Sequence, residues 1–298
     1  MNRTDVTFLS HGTRCAAWLY RPIWPAPYPC VVLAHGLGAT RDMKLPEYAE
    51  HFVEAGLAAF VFDYRHFGAS DGEPRQLLDI QFQLADWVAA VAYVRTLEDI
   101  NPERIALWGT SFSGGHAIVT AARDQRIAAV ATQVPFTDGL TTIAPQGFFG
   151  TLRFLQASIR DVWRQLLNKP PYYIRVAGLP GSLAVLRTPG ALESFQEFAS
   201  PEHWDDGIPA RVLLHIGFYR PIQSAPMVRC PLLICICDED QLTSPQASLK
   251  TAKAAPHAEV VHYPGDHFNI YFDPLFKEAV TAQREFFVRH LLADKATN

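Results

Sequence analysis

The sequence predicts an α/β protein: a mostly parallel central sheet with helices on both faces. Three observations point there. Short, almost wholly apolar runs such as Cys30–Ala34 and Ala58–Phe62 read as strands buried on both faces. Between such runs lie segments with apolar residues at three-and-four spacing, the pattern of a helix with one buried side. The two kinds alternate, which is the order a parallel sheet needs for its crossover connections. A length of 298 residues suits two domains, or one α/β fold carrying a large insertion.

The elements follow in order. Asp5–Leu9 and Cys15–Tyr20 form a hairpin around the turn His11-Gly12. A proline-rich loop leads into Cys30–Ala34. Pro46 suits the first turn of a helix and Gly56 its C-terminal cap, before the strand Ala58–Phe62. A helix is expected over about Leu77 to Val94, with Leu77, Ile80, Leu84, Trp87, Val88, Val91 and Val94 on its buried face. Ile105–Trp108 is a short strand, Gly114–Arg123 a short helix and Ile127–Gln133 another strand. Later come the strand Leu232–Cys237, a helix over Pro245–Ala254, the strand Glu259–Tyr263 and a helix from about Pro274 to Leu292.

Residues 137–229 interrupt this rhythm, so the expected division is a core of residues 1–136 and 230–298 with a cap insertion between them. The clearest element of the insertion is a helix over Leu152–Leu167, with Leu152, Leu155, Ile159, Val162, Trp163, Leu166 and Leu167 along one apolar stripe. The rest is rich in aromatics, including Phe195, Phe198, Trp204, Phe218 and Tyr219. In open α/β sheets ligands bind outside the carboxyl ends of the strands. A cap over that edge would wall the substrate pocket, with Phe148, Phe149 and Trp163 as candidate lining residues.

Composition narrows the class. Charged residues make up 19% and hydrophobic residues 49%, which excludes a disordered chain. A net charge of −4 provides no electrostatic footprint for nucleic acid or an anionic membrane. The first ten residues hold no apolar core of a secretory signal. Five cysteines, an odd number without a framework, argue against a disulfide scaffold. Cys235 and Cys237 are expected on opposite faces of their strand, as small core residues that do not chelate. A cytoplasmic protein is expected.

The stretch Ile105–Gly115 carries the chemistry. It reads as a strand, a tight turn around a central serine, and a helix: Trp108-Gly109-Thr110-Ser111-Phe112-Ser113-Gly114-Gly115. A sharp turn lifts the hydroxyl of Ser111 above the sheet, and small neighbours let strand and helix approach. The helix N-terminus offers free N–H groups to a developing oxyanion. Ser111 could instead be a helix cap, since serine commonly caps helices. Ser113, inside the expected helix, is the weaker candidate nucleophile, and it stands where the G-x-S-x-G pattern has its second glycine. His267, in the turn Gly265-Asp266-His267 after the last strand, suits a general base.

With these motifs the chain resembles the serine α/β-hydrolase superfamily, most closely its capped esterase and acyl-peptidase-like branch. That resemblance implies an α/β-hydrolase fold and a Ser–acid–His order along the chain. It places the acid at Asp240 in Cys237-Asp238-Glu239-Asp240, with Asp238 and Glu239 as rivals. It assigns the oxyanion-hole N–H groups to Leu37, in Ala34-His35-Gly36-Leu37-Gly38, and to Phe112. His35 is read as supporting that loop at the edge of the pocket. His66 stands where a glycine is more usual, and His116 reads as a packed polar residue. Enzymes of this fold that attack with Asp or Cys are set aside by Ser111.

No metal-binding or phosphate-loop motif occurs, so neither metal nor cofactor is expected. The expected function is hydrolysis of a small-molecule carboxylic ester through an acyl-enzyme. An acyltransferase, or a thioester or amide hydrolase with the same triad, is the alternative. No nucleic-acid or membrane partner is expected, and the sequence carries no sign of oligomeric state.

Overall fold

A computed structural model describes residues 2–142, 147–198 and 205–292. The chain opens with the hairpin β1 (Asn2–Ser10) and β2 (Thr13–Arg21). Then come β3 (Tyr28–Ala34), α1 (Leu45–Glu54), β4 (Ala58–Phe62), α2 (Ile80–Val94), β5 (Ile100–Thr110), α3 (Phe112–Arg123) and β6 (Ala129–Gln133). Next are α4 (Gly147–Leu166), β7 (Tyr173–Ala177), β8 (Ala184–Leu186), α5 (Ala191–Phe198), β9 (Ile208–Pro209) and α6 (Leu213–Ile216). The chain returns to the main sheet with β10 (Leu232–Cys237), α7 (Pro245–Ala254), β11 (Ala258–Tyr263) and α8 (Leu275–Leu291).

The main sheet has eight strands in the order β1-β2-β4-β3-β5-β6-β10-β11. β1 and β2 pair antiparallel, as do β2 and β4; every other pairing is parallel. Alternation along β3 shows why its run is wholly apolar. Cys30, Val32 and Ala34 join a core with α2 and α3, while Val31 and Leu33 join a second core with α1 and α8. Cys235 and Cys237 both fall in the second core, with Ile234 and Ile236 in the first. The expectation that the two thiols face opposite ways is therefore corrected: residues two apart on a strand share a face.

Element bounds shift where polar chemistry overrides the apolar pattern. The long helix starts at Ile80, not Leu77, because the Asp79 side chain accepts the N–H groups of Gln81 and Phe82 at 2.8 and 3.0 Å. β5 begins at Ile100, five residues early, and its polar stretch Asn101–Arg104 hid that start. β6 starts at Ala129 instead of Ile127, since Ile127 closes a turn onto the Asp124 carbonyl.

The largest correction concerns α4. Of its apolar stripe, Leu152, Leu155, Ile159, Trp163, Leu166 and Leu167 are 40–69% exposed, and of these only Leu155 lines the cavity described below. The buried side is held by polar groups instead. Asp161 accepts the N–H groups of Tyr172 and Arg211 and pairs with the Arg211 guanidinium at 2.6 Å, and Ser158 Oγ donates to the Ala210 carbonyl. A buried carboxylate has to be satisfied in this way, and that requirement set the rotation of the helix. β7, β8 and β9 form a small sheet whose Ile174, Val176 and Ile208 merge into the core beneath α3.

Contacts fix the insertion over the carboxyl ends of the sheet strands. A Cβ on Gly38 would stand 2.7 Å from the Val176 side chain. Tyr173 Oη donates to the Arg75 carbonyl at 3.0 Å, and Gln76 Nε2 to that of Asp205 at 2.6 Å.

Candidate active site

Ser111 lies between β5 and α3 with φ 54° and ψ −120°. A non-glycine residue at positive φ is strained, and such strain persists only where its surroundings enforce it. Here the Ser111 N–H donates to the Gln133 carbonyl at 2.8 Å, and its carbonyl accepts the Phe136 N–H at 2.8 Å. The neighbouring glycines leave no room for a side chain. A Cβ on Gly109 would be 2.4 Å from the Ser113 carbonyl oxygen, and one on Gly115 2.3 Å from that of Phe136. Ser113 is fully buried, and its Oγ lies 2.7 Å from Tyr64 Oη, which accepts the Trp87 indole N–H at 2.9 Å.

Three side chains from three loops meet at this turn. His267 Nε2 accepts from Ser111 Oγ at 3.0 Å, and His267 Nδ1 donates to Asp240 Oδ2 at 2.7 Å. Four donors converge on the Asp240 carboxylate. Leu242 and Thr243 N–H reach Oδ1 at 2.7 and 2.8 Å, while Thr243 Oγ1 and His267 reach Oδ2, each at 2.7 Å. Asp238 is turned away and pairs with His262 at 2.6 Å on the exposed side. Glu239 joins the turn through its backbone, donating to the Gly265 carbonyl. The His267 loop is shaped by Asp266 Oδ1, which accepts the N–H groups of Phe268 and Asn269, and by Asn269 Oδ1, which accepts the Asp266 N–H.

Thr243, Asp266 and Asn269 were missed in the sequence. Asp followed two or three residues on by a further polar residue is the available signal, since such side chains bond nearby backbone.

The loop after β3 passes directly over the serine: a Cβ on Gly36 would be 3.2 Å from Ser111 Cβ. Leu37 lines the same space. Phe112 opens α3, so its N–H is among those an α-helix leaves without an internal partner. His35 borders a small recess shared with Ser111 and His267 and does not touch the larger cavity. Its Nδ1 donates to the Gly36 carbonyl at 3.1 Å, and burial pushes its pKa down to about 4. Beneath it, burial raises the Asp63 carboxyl to about 6 against the pull of Arg41. His66 has φ 71°, which accounts for a glycine being the easier residue there. His116 is buried between Tyr219 Oη at 2.7 Å and Gln83 Oε1 at 2.9 Å, with its pKa pushed down to about 3 by that burial.

An apolar cavity of about 800 Å³ opens beside the serine. Its walls include Phe136, Phe154, Leu155, Leu213, Ile216 and Leu242, so most come from the insertion. Trp163 is not among them: it is 61% exposed on the outer side of α4, which corrects its assignment to the pocket. The side chains of Phe148, Phe149 and Phe198, and all of Trp204, lie outside the described residues. Among the described residues no group of three metal-binding side chains occurs, and no helix is long and apolar enough to cross a membrane.

Two of the buried histidines, His35 and His116, predict an acid-labile fold. Both are neutral when folded and bind protons with ordinary affinity, near pH 6.5, when unfolded. Stability is therefore complete above about pH 6.5 and falls as pH drops toward 4. Asp63 and Asp86, both raised by burial, act in the opposite sense, but His66 is lowered by burial as well, and three histidines outweigh two carboxyls. Urea midpoints measured from pH 7 to 4 should fall steeply for the parent and less steeply for His116→Gln. Equal slopes would contradict this assignment.

A family model described as the alpha/beta hydrolase fold matches residues 29–274. The quorum-quenching protein AidA of Acinetobacter baumannii is 41% identical over 286 residues, 96% of this chain and 94% of that one. The thiohydrolase aneE of Aspergillus aculeatus is 27% identical across 98% of this chain and 94% of its own length. The crystal structure of the alpha/beta hydrolase GrgF from Penicillium sp. sh18 superposes with a TM-score of 0.83 at 22% identity, covering 98% of this chain and 100% of that one, a likeness of fold.

Proposed function

The chain belongs to the alpha/beta hydrolase family, and from that premise we propose that it is a cytoplasmic, cofactor-free serine hydrolase that cleaves carboxylic esters through an acyl-enzyme. One observation carries the reading: the unbroken hydrogen-bonded series Asp240–His267–Ser111, ending on a strained serine at the mouth of an apolar cavity.

In this reading His267 Nε2 takes the proton of Ser111 Oγ as the oxygen attacks the acyl carbon. The negative charge formed on the carbonyl oxygen is met by the N–H groups of Leu37 and Phe112. His267 then gives its proton to the leaving alcohol. A water, deprotonated by the same nitrogen, attacks the acyl-serine and frees the acid. Asp240 keeps the other imidazole nitrogen protonated and stabilises the imidazolium. Residues 137–229 act as a cap whose apolar walls hold a small to medium acyl or alcohol group.

A second reading rests on the relative named a thiohydrolase: the same acyl-enzyme could form from a thioester, or pass its acyl group to an alcohol. Product analysis separates these. The protein is given p-nitrophenyl esters, acyl thioesters and aminoacyl amides of one chain length, with and without an added alcohol. Free acid formed fastest from the oxygen ester is the expected result. Faster turnover of the thioester, or dominant formation of a new ester when alcohol is present, would replace the leading reading by the second.

A further inference from the structure

Arg187 follows β8 and is half-buried in the wall of the apolar cavity. Among the described residues lining that cavity only Arg187 and Asp240 carry a formal charge, and Asp240 is occupied by His267, Leu242 and Thr243. Several other arginines held within the fold meet a carboxylate, Arg41 with Asp63, Arg65 with Asp86, Arg95 with Asp124 and Arg211 with Asp161, and Arg75 is held by three carbonyls, those of Gly68, Ser70 and Gly72. Arg187 meets no carboxylate among the described residues. It donates one long hydrogen bond, 3.3 Å, to the Ser182 carbonyl and lies 4.6 Å over the Phe154 ring. Its pKa is lowered by burial and further by the nearby Arg153, itself turned to the Gly181 carbonyl. A guanidinium taken partly out of water without a counter-charge is costly. A ligand anion would offset that cost, and the bidentate fork of arginine suits carboxylate and phosphate. Leu186, one residue before it, lines both the cavity and the recess holding Ser111 and His267.

We propose that Arg187 is a specificity-determining residue: it receives an anionic oxygen group, carboxylate or phosphate, that the substrate carries in addition to its reactive acyl bond. This rests on the serine-hydrolase reading given above. Two substrate pairs test it and separate the two anions. p-Nitrophenyl hexanoate is compared with mono-p-nitrophenyl adipate, which replaces the terminal methyl by a carboxylate. Hexanoyl-N-acetylcysteamine is compared with hexanoyl-coenzyme A, which adds phosphates. The parent should favour the charged member of one pair by about 10–100-fold in kcat/KM, the scale of a hydrogen bond to a charged group. Arg187→Gln should erase that preference, read as the charged-to-neutral ratio of kcat/KM within each pair, and Arg187→Lys should keep part of it.

The responding pair identifies the anion. Equal rates within both pairs in the parent, or a preference that survives in Arg187→Gln, would overturn the proposal. So would a uniform loss on all four substrates together with a lowered Tm, which would make the contacts with Ser182 and Phe154 purely structural. If the parent turned over no neutral ester and Ser111 took no fluorophosphonate label, the hydrolase reading itself would have failed and the proposal with it.

Discussion

Ser111→Ala is expected to abolish fluorophosphonate labelling and to lower ester turnover by roughly 10⁶-fold, the scale seen when a triad nucleophile is removed. The loss should be nearly complete because no second hydroxyl can take over. Ser113 is fully buried, and its Oγ is held 2.7 Å from Tyr64 Oη. Thr110 Oγ1 is engaged with Tyr271 Oη, and Thr110 does not line the larger cavity. The fold should survive, since Ser111 is fixed by its backbone bonds to Gln133 and Phe136 and not by its side chain. Persistent labelling of the variant would move the nucleophile elsewhere.

Asp240→Asn is expected to lower kcat by about 10⁴-fold with little change in Tm. The two backbone N–H groups of Leu242 and Thr243 point at Oδ1. An asparagine would satisfy them with its carbonyl oxygen, so its NH₂ would take the place of Oδ2 and point at His267 Nδ1. That nitrogen would then have to accept, the proton would move to Nε2, and Nε2 could no longer take a proton from Ser111. Asp238→Asn breaks only an exposed pair with His262 and should leave kcat within about twofold, as surface pairs contribute little. Steady-state kinetics on the two variants decide it. The reverse pattern would place the acid two residues earlier.

The sheet and the meeting residues were largely legible, and for a physical reason. Strands buried on both faces must be apolar throughout, as Val31–Leu33 and Leu232–Ile236 are. The tight turn at Gly109–Gly115 demands small residues wherever a Cβ would strike backbone. Ser111 and His267 could be read because each follows a strand end, whereas all three acids of Asp238–Asp240 follow one and the resemblance chose Asp240 among them. Residues 137–229 resisted the same reading. The apolar stripe of α4 predicts a buried face, but the pairing of Asp161 with Arg211 links residues far apart in the sequence and buries the other side, leaving the stripe exposed except where Leu155 meets the cavity. Periodicity cannot see such a long-range polar bond, so Trp163 was misplaced with it. Thr243 and Arg187 were overlooked for a related reason: the importance of each lies in what it faces across a loop or cavity, and neither has a periodic signature.

The central claim is that Ser111 carries the acyl group between two chemical steps. The most direct test is to mix the protein with excess p-nitrophenyl hexanoate, quench in acid within the first turnovers, and map the modified peptide by mass spectrometry. The account predicts a hexanoyl increment on Ser111, absent from Ser111→Ala. Ester hydrolysed with no acyl increment on the protein, or with the increment on another residue, would contradict it.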